Sequence, residues 1–253
     1  MAPSRRSGGA RERARADAGD VELLGRVTYF GSLPVKRLRE LAERCRARDL
    51  APAETLFEEG GPCTGLFIIA AGRIEVRQIS LRGREQVFHT EGPGSTLGEG
   101  PLFDRGGYIA SAVALEPSRV LFLPRADVLE LCRRHPEVAL AIVESLARRV
   151  RRFAEIVGDL AFRPVKERLA RYLEATAAPR IPTAGLVLDL QLTHTQLAAR
   201  LGTVRELVAR ALAQLERAGA ISRNGKRIVI RDRTRLQAFA LGDATSGENP
   251  SSE

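Results

Sequence analysis

The segment from Leu192 to Ile230 constrains the fold of this chain more than any other stretch. Thr193 is a good N-cap for a helix that turns Leu197 and Ala198 inward. Gly202 follows that helix and permits the left-handed turn that joins two helices. The second helix carries an apolar stripe made of Val204, Val208, Leu212 and Leu215. Two amphipathic helices joined by a tight glycine-containing turn are the helix-turn-helix pattern.

A hairpin is predicted directly after the second helix. Asn224-Gly225 lies between the short apolar runs Ala220–Ser222 and Arg227–Ile230, and Asn-Gly is a strong signal for a two-residue hairpin turn. The tip is basic, because Arg223 and Lys226 flank the turn. The pattern therefore predicts a winged helix-turn-helix whose wing residues bind phosphate.

The start of the second helix presents Arg205, Glu206 and Arg210 on its outer side. An arginine fits guanine O6 and N7 as a bidentate donor, and a carboxylate accepts a hydrogen bond from cytosine N4. A glutamate facing DNA repels phosphate, so its presence favours base recognition. The alternative is an ordinary surface ion pair between Glu206 and Arg210, which are four residues apart. We favour base recognition by all three.

Composition is compatible with a polyanionic partner. The 253 residues carry a formal charge of +9, which suits binding to double-stranded DNA, although an arginine-rich coding bias explains such an excess equally well. The cysteines Cys45, Cys63 and Cys132 are odd in number and far apart, so neither a disulfide framework nor a zinc site is expected. No apolar run is long enough to span a bilayer, and we expect a cytoplasmic protein without membrane contact.

The pattern of apolar and turn residues changes along the chain and predicts an α+β protein with five parts. Residues 1–20 read as a disordered arm, 21–135 as a β-barrel or jelly roll after short helices, 136–161 as a dimerisation helix, 162–241 as the DNA-binding domain and 242–253 as a flexible tail. The barrel is predicted from short apolar strands separated by glycine and proline turns. These strands are Thr55–Phe57, Gly65–Ala70, Gly72–Ile79, Glu85–His89, Ser111–Leu115 and Val120–Leu123.

The stretch from Pro136 to Leu160 is predicted to be one long helix. Its apolar residues recur about every 3.5 positions, with Arg149 interrupting the repeat, at Val138, Ile142, Leu146, Phe153, Val157 and Leu160. Such a stripe suits either a helix packed on its own barrel or a two-stranded coiled coil. We favour the coiled coil, and hence a homodimer.

The order of barrel, long helix and winged helix-turn-helix resembles the cyclic-AMP receptor protein/FNR (Crp/Fnr) superfamily of bacterial transcription regulators. The resemblance covers about Leu23 to Arg231 and rests on four stretches: Glu58–Val76, Pro93–Phe103, Leu146–Phe162 and Thr203–Ile221. They are similar to the first barrel hairpin, the phosphate-binding cassette, the dimer helix with its hinge, and the recognition helix of that family.

This resemblance implies a non-enzymatic regulator with a cyclic-nucleotide-binding-like domain, which acts as a homodimer on DNA and contacts RNA polymerase. The set Arg205, Glu206 and Arg210 is similar to the triad with which the cyclic-AMP receptor branch reads TGTGA half-sites. Residues expected to contact the DNA backbone are Thr193, His194, Thr195, Thr203 and Lys226.

The cassette also departs from the family. Gly98 and Glu99 are kept, but Tyr108-Ile109 stand where cyclic-nucleotide binders have an arginine that pairs with the cyclic phosphate, followed by serine or threonine. Without that arginine, burying the phosphate costs several kcal/mol. In the dimer helix Phe153-Ala154 replace polar residues that touch the base. The sequence thus predicts an effector pocket around Gly98, Glu99, Tyr108, Ile109 and Phe153 that does not bind cyclic AMP in the usual way.

Other inputs stay open at this point. Arg105 is an alternative phosphate partner, although it lies three residues early. The cysteine cluster of iron–sulfur members is absent, and His89, His135 and His194 do not form a convincing haem site, so no cofactor is predicted. Alternatives are a regulator responding to a cyclic nucleotide or another small molecule through a non-standard pocket, and a sensor or adaptor that does not bind DNA specifically. No Ser–His–Asp arrangement, metal cluster or phosphate loop suggests an enzyme.

Overall fold

The structure is a computed structural model that describes residues 12–13, 18–81, 83–104, 106–177, 186–189, 192–224 and 227–242. The chain divides into two compact units, one formed by residues 1–78 and 88–151 and the other by residues 79–87 and 152–253. The elements, in chain order, are β1 (Glu12–Arg13), α1 (Ala18–Arg26), α2 (Val35–Arg44), β2 (Arg46–Leu50), β3 (Thr55–Phe57), β4 (Gly65–Ala71), β5 (Ile74–Ile79), β6 (Glu85–Glu91), β7 (Thr96–Leu97), α3 (Glu99–Asp104), β8 (Ser111–Ala114), β9 (Ser118–Pro124), α4 (Arg125–Arg134), α5 (Pro136–Phe162), α6 (Val165–Ala177), β10 (Leu186–Asp189), α7 (His194–Leu201), α8 (Arg205–Arg217), β11 (Ile221–Asn224), β12 (Arg227–Ile230) and α9 (Arg233–Leu241).

The first unit contains the predicted jelly roll. One sheet has the strand order β1-β2-β9-β4-β7 and the other has the order β3-β8-β5-β6. Strand β4 pairs antiparallel with β9 from Gly65 opposite Pro124 onward, and β5 pairs antiparallel with β8. The crossed strand order places neighbours in space that are far apart in sequence, as Greek-key connections do.

Strands β4 and β9 are buried on both faces. In β4, Leu66 and Ile68 pack towards the helices, whereas Phe67 and Ile69 pack into the core between the sheets. Strand β9 alternates in the same way. Successive side chains of a strand point to opposite faces, so a strand covered on both sides is a continuous apolar run. This burial explains why Gly65–Ala71 has no polar residue.

The helical layer of this unit comprises α1, α2, α4 and the first half of α5. Leu24, Leu41 and Val128 from this layer lie in one core with Leu121 and Leu123 of β9. At the N-terminal end of α5, Val138 and Ile142 are buried in that core. The first half of the long helix is therefore anchored on its own unit.

The second unit contains the winged helix-turn-helix. Helices α6, α7, α8 and α9 enclose a core centred on Leu173, Leu197, Leu212 and Leu236, all of which are nearly inaccessible to solvent. A three-stranded sheet of order β10-β12-β11 completes it, and Ile228 and Ile230 of β12 are buried there. The predicted hairpin pairs Ile221 with Ile230 in antiparallel register.

The predicted strands are present with small shifts of their ends, whereas several elements escaped prediction. Strand β2 carries three charged residues and gains its place by pairing with β9. Helix α9 has only Leu236 and Ala240 buried, so its apolar periodicity is weak. Within the predicted arm, β1 pairs with β2 and α1 begins at Ala18. Most of the arm and the tail lies outside the described residues.

Of the described part of the chain, no helix is both long and apolar enough to cross a membrane.

Candidate nucleic-acid interface and jelly-roll interior

Helix α7 begins with the predicted cap at Thr193. Its hydroxyl accepts a hydrogen bond from the backbone N–H of Gln196 at 3.2 Å, and the Gln196 side chain accepts one from the Thr193 N–H at 2.9 Å. This reciprocal arrangement is a capping box, which satisfies two N–H groups that a helix start leaves without partners. The N-cap prediction is confirmed, and the cap fixes where α7 begins.

The turn between α7 and α8 depends on Gly202. Its φ of 61° lies in the left-handed region, and its N–H donates to the carbonyl of Ala198. This conformation favours glycine, and an added Cβ would lie 2.6 Å from the Leu160 side chain, which would have to move. Val204, predicted to lie in the buried stripe, is instead the half-buried N-cap of α8.

Helix α8 separates a buried face from an exposed face. Val208, Ala211, Leu212 and Leu215 are buried in the core of the second unit. Arg205, Glu206 and Arg210 are exposed, and among the residues that the structure describes none of the three forms an ion pair or a side-chain hydrogen bond. The alternative of a Glu206–Arg210 surface ion pair is therefore not formed.

The residues predicted to contact the DNA backbone lie at the starts of the two helices. Thr193 and Thr195 at the start of α7 are exposed, whereas His194 and, just before α8, Thr203 are half-buried. Helix N-termini present free N–H groups and suit phosphate oxygens. Lys226, the fifth predicted contact, lies outside the described residues.

The wing is tied to α8 through an ion pair. The Arg223 guanidinium lies 2.6 Å from Glu216, and the Arg223 backbone N–H donates to the same carboxylate at 3.0 Å. These hydrogen bonds lower the pKa of Glu216. Arg223 was predicted to hold phosphate from the wing. In the structure it also ties β11 to α8.

Inside the first unit, Glu99 has 1% of its side chain exposed and belongs to a hydrogen-bonded network. Its oxygens accept from Arg149 Nη1 at 2.9 Å and Nη2 at 3.0 Å. The Tyr29 hydroxyl donates to Glu99 at 2.9 Å and lies 3.1 Å from Ser145, and the Thr96 hydroxyl also donates to Glu99. Burial and the carboxylate together raise the pKa of Tyr29. The network joins α5 to the start of α3.

Tyr108 is buried in the core between the sheets. Its ring stacks on Phe57 with 3.8 Å between centroids and 12° between planes. Burial and the neighbouring Cys63 thiol raise its pKa. Gly98 has a φ of 97°, and a Cβ added there would lie 3.5 Å from the Tyr108 ring. The structure thus brings Gly98, Glu99 and Tyr108 into one region.

The other two predicted pocket residues are placed differently. Ile109 has 68% of its side chain exposed, so it points away from the core that holds Tyr108. Phe153 belongs to the second unit and is half-buried there.

Sequence reasoning missed the role of Arg149, and with it Tyr29, Thr96 and Ser145. A signal was present, because Arg149 interrupts an otherwise apolar repeat on the side of α5 that faces its own unit. A charged residue at a half-buried position of this kind is usually paired. Its partner could not be read from the sequence, since Glu99 is fifty residues away.

Helix α5 also has an exposed apolar face, which we call the α5 seam. It consists of Leu140, Val143, Ala147, Val150, Ala154, Val157 and Ala161, all exposed. The spacing alternates between three and four residues over three heptads, the repeat of a coiled coil. Of the predicted stripe, Val138 and Ile142 are buried in the core of the first unit, as in the alternative of a helix packed on its own barrel, and only Val157 is shared with the seam.

The three cysteines form no disulfide with one another. Cys45, Cys63 and Cys132 are all free thiols. Burial raises the pKa of Cys45 to about 12, which keeps it protonated near neutral pH. Among the described residues, no group of three or more histidine, cysteine, aspartate or glutamate side chains could hold a metal ion.

The fold defines the class of the protein: a winged helix-turn-helix of the DNA-binding type joined to a jelly roll of the cyclic-nucleotide-binding type. Two family models match the chain: "Cyclic nucleotide-binding domain" over residues 47–135 and "Crp-like helix-turn-helix domain" over residues 167–239. The chain is 30% identical over 218 residues to the CRP-like cAMP-activated global transcriptional regulator of Mycobacterium tuberculosis, which covers 85% of this chain and 97% of the relative.

Two further matches come from Thermus thermophilus. Its cyclic AMP receptor protein is 34% identical over 187 residues, which are 74% of this chain and 84% of the relative. The crystal structure of its catabolite activator protein matches with a TM-score of 0.50 and 30% identity, over 85% of this chain and 99% of that chain. The chain belongs to the Crp/Fnr family. It is a DNA-binding transcription regulator and not an enzyme.

Proposed function

We propose that this regulator acts as a homodimer that reads a palindrome of TGTGA-like half-sites through Arg205, Glu206 and Arg210. The observation that carries the proposal is the exposure of these three side chains at the start of α8, without an ion pair among the described residues. Side chains already paired with each other would have to break those pairs before contacting bases. Three unpaired ones are available to the groove.

The chemistry of the triad suits a GC-containing half-site. Each arginine offers a planar pair of donors to guanine O6 and N7, and the glutamate accepts from cytosine N4. In a helix-turn-helix the first turns of the second helix face the base edges, while the first helix crosses the backbone. Thr193, Thr195 and Thr203 lie at helix starts, where phosphate oxygens are bound.

The α5 seam supports the dimer. Seven leucine, valine and alanine side chains exposed on one face of a 27-residue helix are a large apolar surface for a monomer. Packing against the same seam of a second copy removes this surface from water. Two helix-turn-helix units related by a two-fold axis would then contact half-sites about one helical turn of DNA apart. Contact with RNA polymerase follows from the family resemblance and forms part of the same proposal.

The proposal includes that the regulator is not controlled by cyclic AMP bound in the usual way. Tyr108 occupies the sequence position of the phosphate-binding arginine, and its buried ring stacks on Phe57. A phenol neutral at physiological pH offers no positive charge to a cyclic phosphate. The arginine that does lie beside Glu99 is Arg149, and both of its terminal nitrogens already contact that carboxylate.

Fluorescence anisotropy on a TGTGA…TCACA duplex and a scrambled duplex tests the base-reading assignment. Arg205→Ala and Arg210→Ala should each weaken binding to the palindrome by about 1–3 kcal/mol and reduce the preference over the scrambled duplex. The matched control is Arg217→Ala, an exposed arginine of the same helix about 18 Å beyond Arg205. Unchanged binding in both arginine variants, or equal wild-type affinity for the two duplexes, would contradict the proposal.

A further inference from the structure

One exposed side chain beside Glu206 and Arg210 on α8 is apolar. Leu207 follows Glu206 and precedes Arg210 by three residues, and 40% of it is exposed. The apolar residues of the buried face of α8, from Val208 to Leu215, are almost inaccessible to solvent. Leu207 is thus excluded from the core of its own unit and stands beside the two charged residues that the proposed function assigns to base recognition.

The position of Leu207 on the helix directs it to the same groove as its neighbours. Residues three apart on a helix are neighbours on its surface, so Leu207 adjoins Arg210. It also lies in the first turn, the part of a recognition helix that faces base edges. A single exposed leucine elsewhere would need no explanation, but here the proposed function places the side chain in the major groove.

The chemistry of the groove leaves one partner for an aliphatic side chain. The base edges there present hydrogen-bond acceptors, hydrogen-bond donors and a single apolar group, the 5-methyl group of thymine. Leucine has neither donor nor acceptor beyond Cβ. Next to a guanine or cytosine edge it would displace water from polar atoms without replacing the hydrogen bonds, which is unfavourable.

We infer that Leu207 is a specificity-determining residue that selects a thymine in each half-site by packing on its 5-methyl group. The inference rests on the proposed function, since it requires α8 to enter the major groove. It adds to the arginine and glutamate contacts a contact that no hydrogen bond can supply. Burial of one methyl group predicts an effect of about fourfold in affinity for each half-site.

Replacement of thymine by uracil tests this, because it removes the methyl group and leaves the pairing edge unchanged. The wild-type full chain first selects duplexes from a random library, and each thymine of the selected half-site is then replaced singly by uracil. Wild-type affinity should fall about fourfold at one of these positions. Leu207→Ala should lose the sensitivity at that position and keep its response at the others.

Leu241→Ala is the matched control, because Leu241 is an exposed leucine on α9 of the same unit. It should respond to uracil as the wild type does, and thermal unfolding should show that both variants fold. The inference is overturned if no uracil position affects the wild type, if the selected site lacks thymine, or if Leu207→Ala keeps the full uracil effect. If the protein selects no palindrome from the library, the proposed function is contradicted, and the inference with it.

Discussion

At the scale of single residues, the pairing of Glu99 with Arg149 shows how one buried carboxylate is accommodated. Taking a charge out of water is costly unless opposite charge and hydrogen bonds replace the solvent. Arg149 supplies both through two nitrogens, and the Tyr29 and Thr96 hydroxyls supply the rest. The network explains why an arginine stands in an otherwise apolar stripe of α5.

Removing this arginine should be costly. Arg149→Ala leaves the Glu99 carboxylate buried with hydroxyl partners only. We expect the free energy of unfolding to fall by about 2–3 kcal/mol, less than for a fully buried pair because the Arg149 side chain is 31% exposed. Urea denaturation measures this, and the double variant Arg149→Ala/Glu99→Gln should recover part of the loss. Two of the three tyrosines, Tyr29 and Tyr108, lie in this unit and give a local fluorescence signal.

The neighbouring Arg148 provides the control for that experiment. Arg148 is 56% exposed, and its nitrogen lies 3.9 Å from Glu144, so the pair is a surface ion pair. Such pairs contribute little, and Arg148→Ala should change stability by less than about 0.5 kcal/mol. Equal losses of unfolding free energy in the Arg148 and Arg149 variants would show that the buried network contributes no more than a surface ion pair.

At the scale of elements, helix α5 has two apolar faces with different partners. Val138 and Ile142 are buried in the first unit, whereas the α5 seam is exposed along the length of the helix. Both faces repeat at helical spacing, so the sequence merges them into one stripe. Only the positions of the packed elements decide which residues belong to which face.

A charge placed in the α5 seam should prevent dimerisation without unfolding the monomer. Val150 is 67% exposed in the single chain, so Val150→Glu removes little from its core. Across a coiled-coil seam the two glutamates would face each other and be desolvated, which disfavours association. Sedimentation velocity should show the wild type as a dimer and this variant as a monomer.

Arg152→Glu is the matched control for the seam. Arg152 is exposed and lies on the side of α5 opposite the seam, between Val150 and Ala154 in sequence. This variant introduces the same glutamate and should stay dimeric. A dimeric Val150→Glu protein would show that the copies associate through another surface.

At the scale of the whole molecule, the jelly roll and the winged helix-turn-helix belong to units with separate cores. The cores of the first unit hold Glu99's neighbours and Tyr108, and the core of the second is built around α6 to α9. The helix-turn-helix unit has the predicted cap at Thr193, the left-handed turn at Gly202 and an exposed triad. In the proposed function, the jelly roll keeps Gly98 and Glu99 but has the stacked Tyr108 at the position of the phosphate-binding arginine.

Cyclic AMP should therefore have little effect on the whole protein. A ligand present at a hundred times its Kd stabilises a protein by about 2.7 kcal/mol, a rise that thermal unfolding readily detects. We expect no change in Tm at millimolar cyclic AMP and no change in affinity for DNA. The cyclic AMP receptor protein of Thermus thermophilus serves as the positive control. A clear Tm rise in this chain would show that Tyr108 does not prevent nucleotide binding.

Much of the winged helix-turn-helix could be predicted from the sequence because its determinants are local. A cap, a glycine in the left-handed region and a hairpin turn each depend on residues within a few positions of each other. Thr193 with Gln196 and Gly202 therefore behave as their residue types predict. The outward direction of Arg205, Glu206 and Arg210 also follows from helical periodicity, because the opposite face is apolar.

Tertiary structure decided what depends on distant partners. It paired Arg149 with Glu99, tied Arg223 to Glu216 and assigned the two faces of α5 to different environments. It also stacked Tyr108 on Phe57, which lies about fifty residues earlier in the sequence. Local propensity and periodicity determine which side of an element is apolar, but burial and electrostatic pairing depend on which elements meet. That choice is made only when the chain folds.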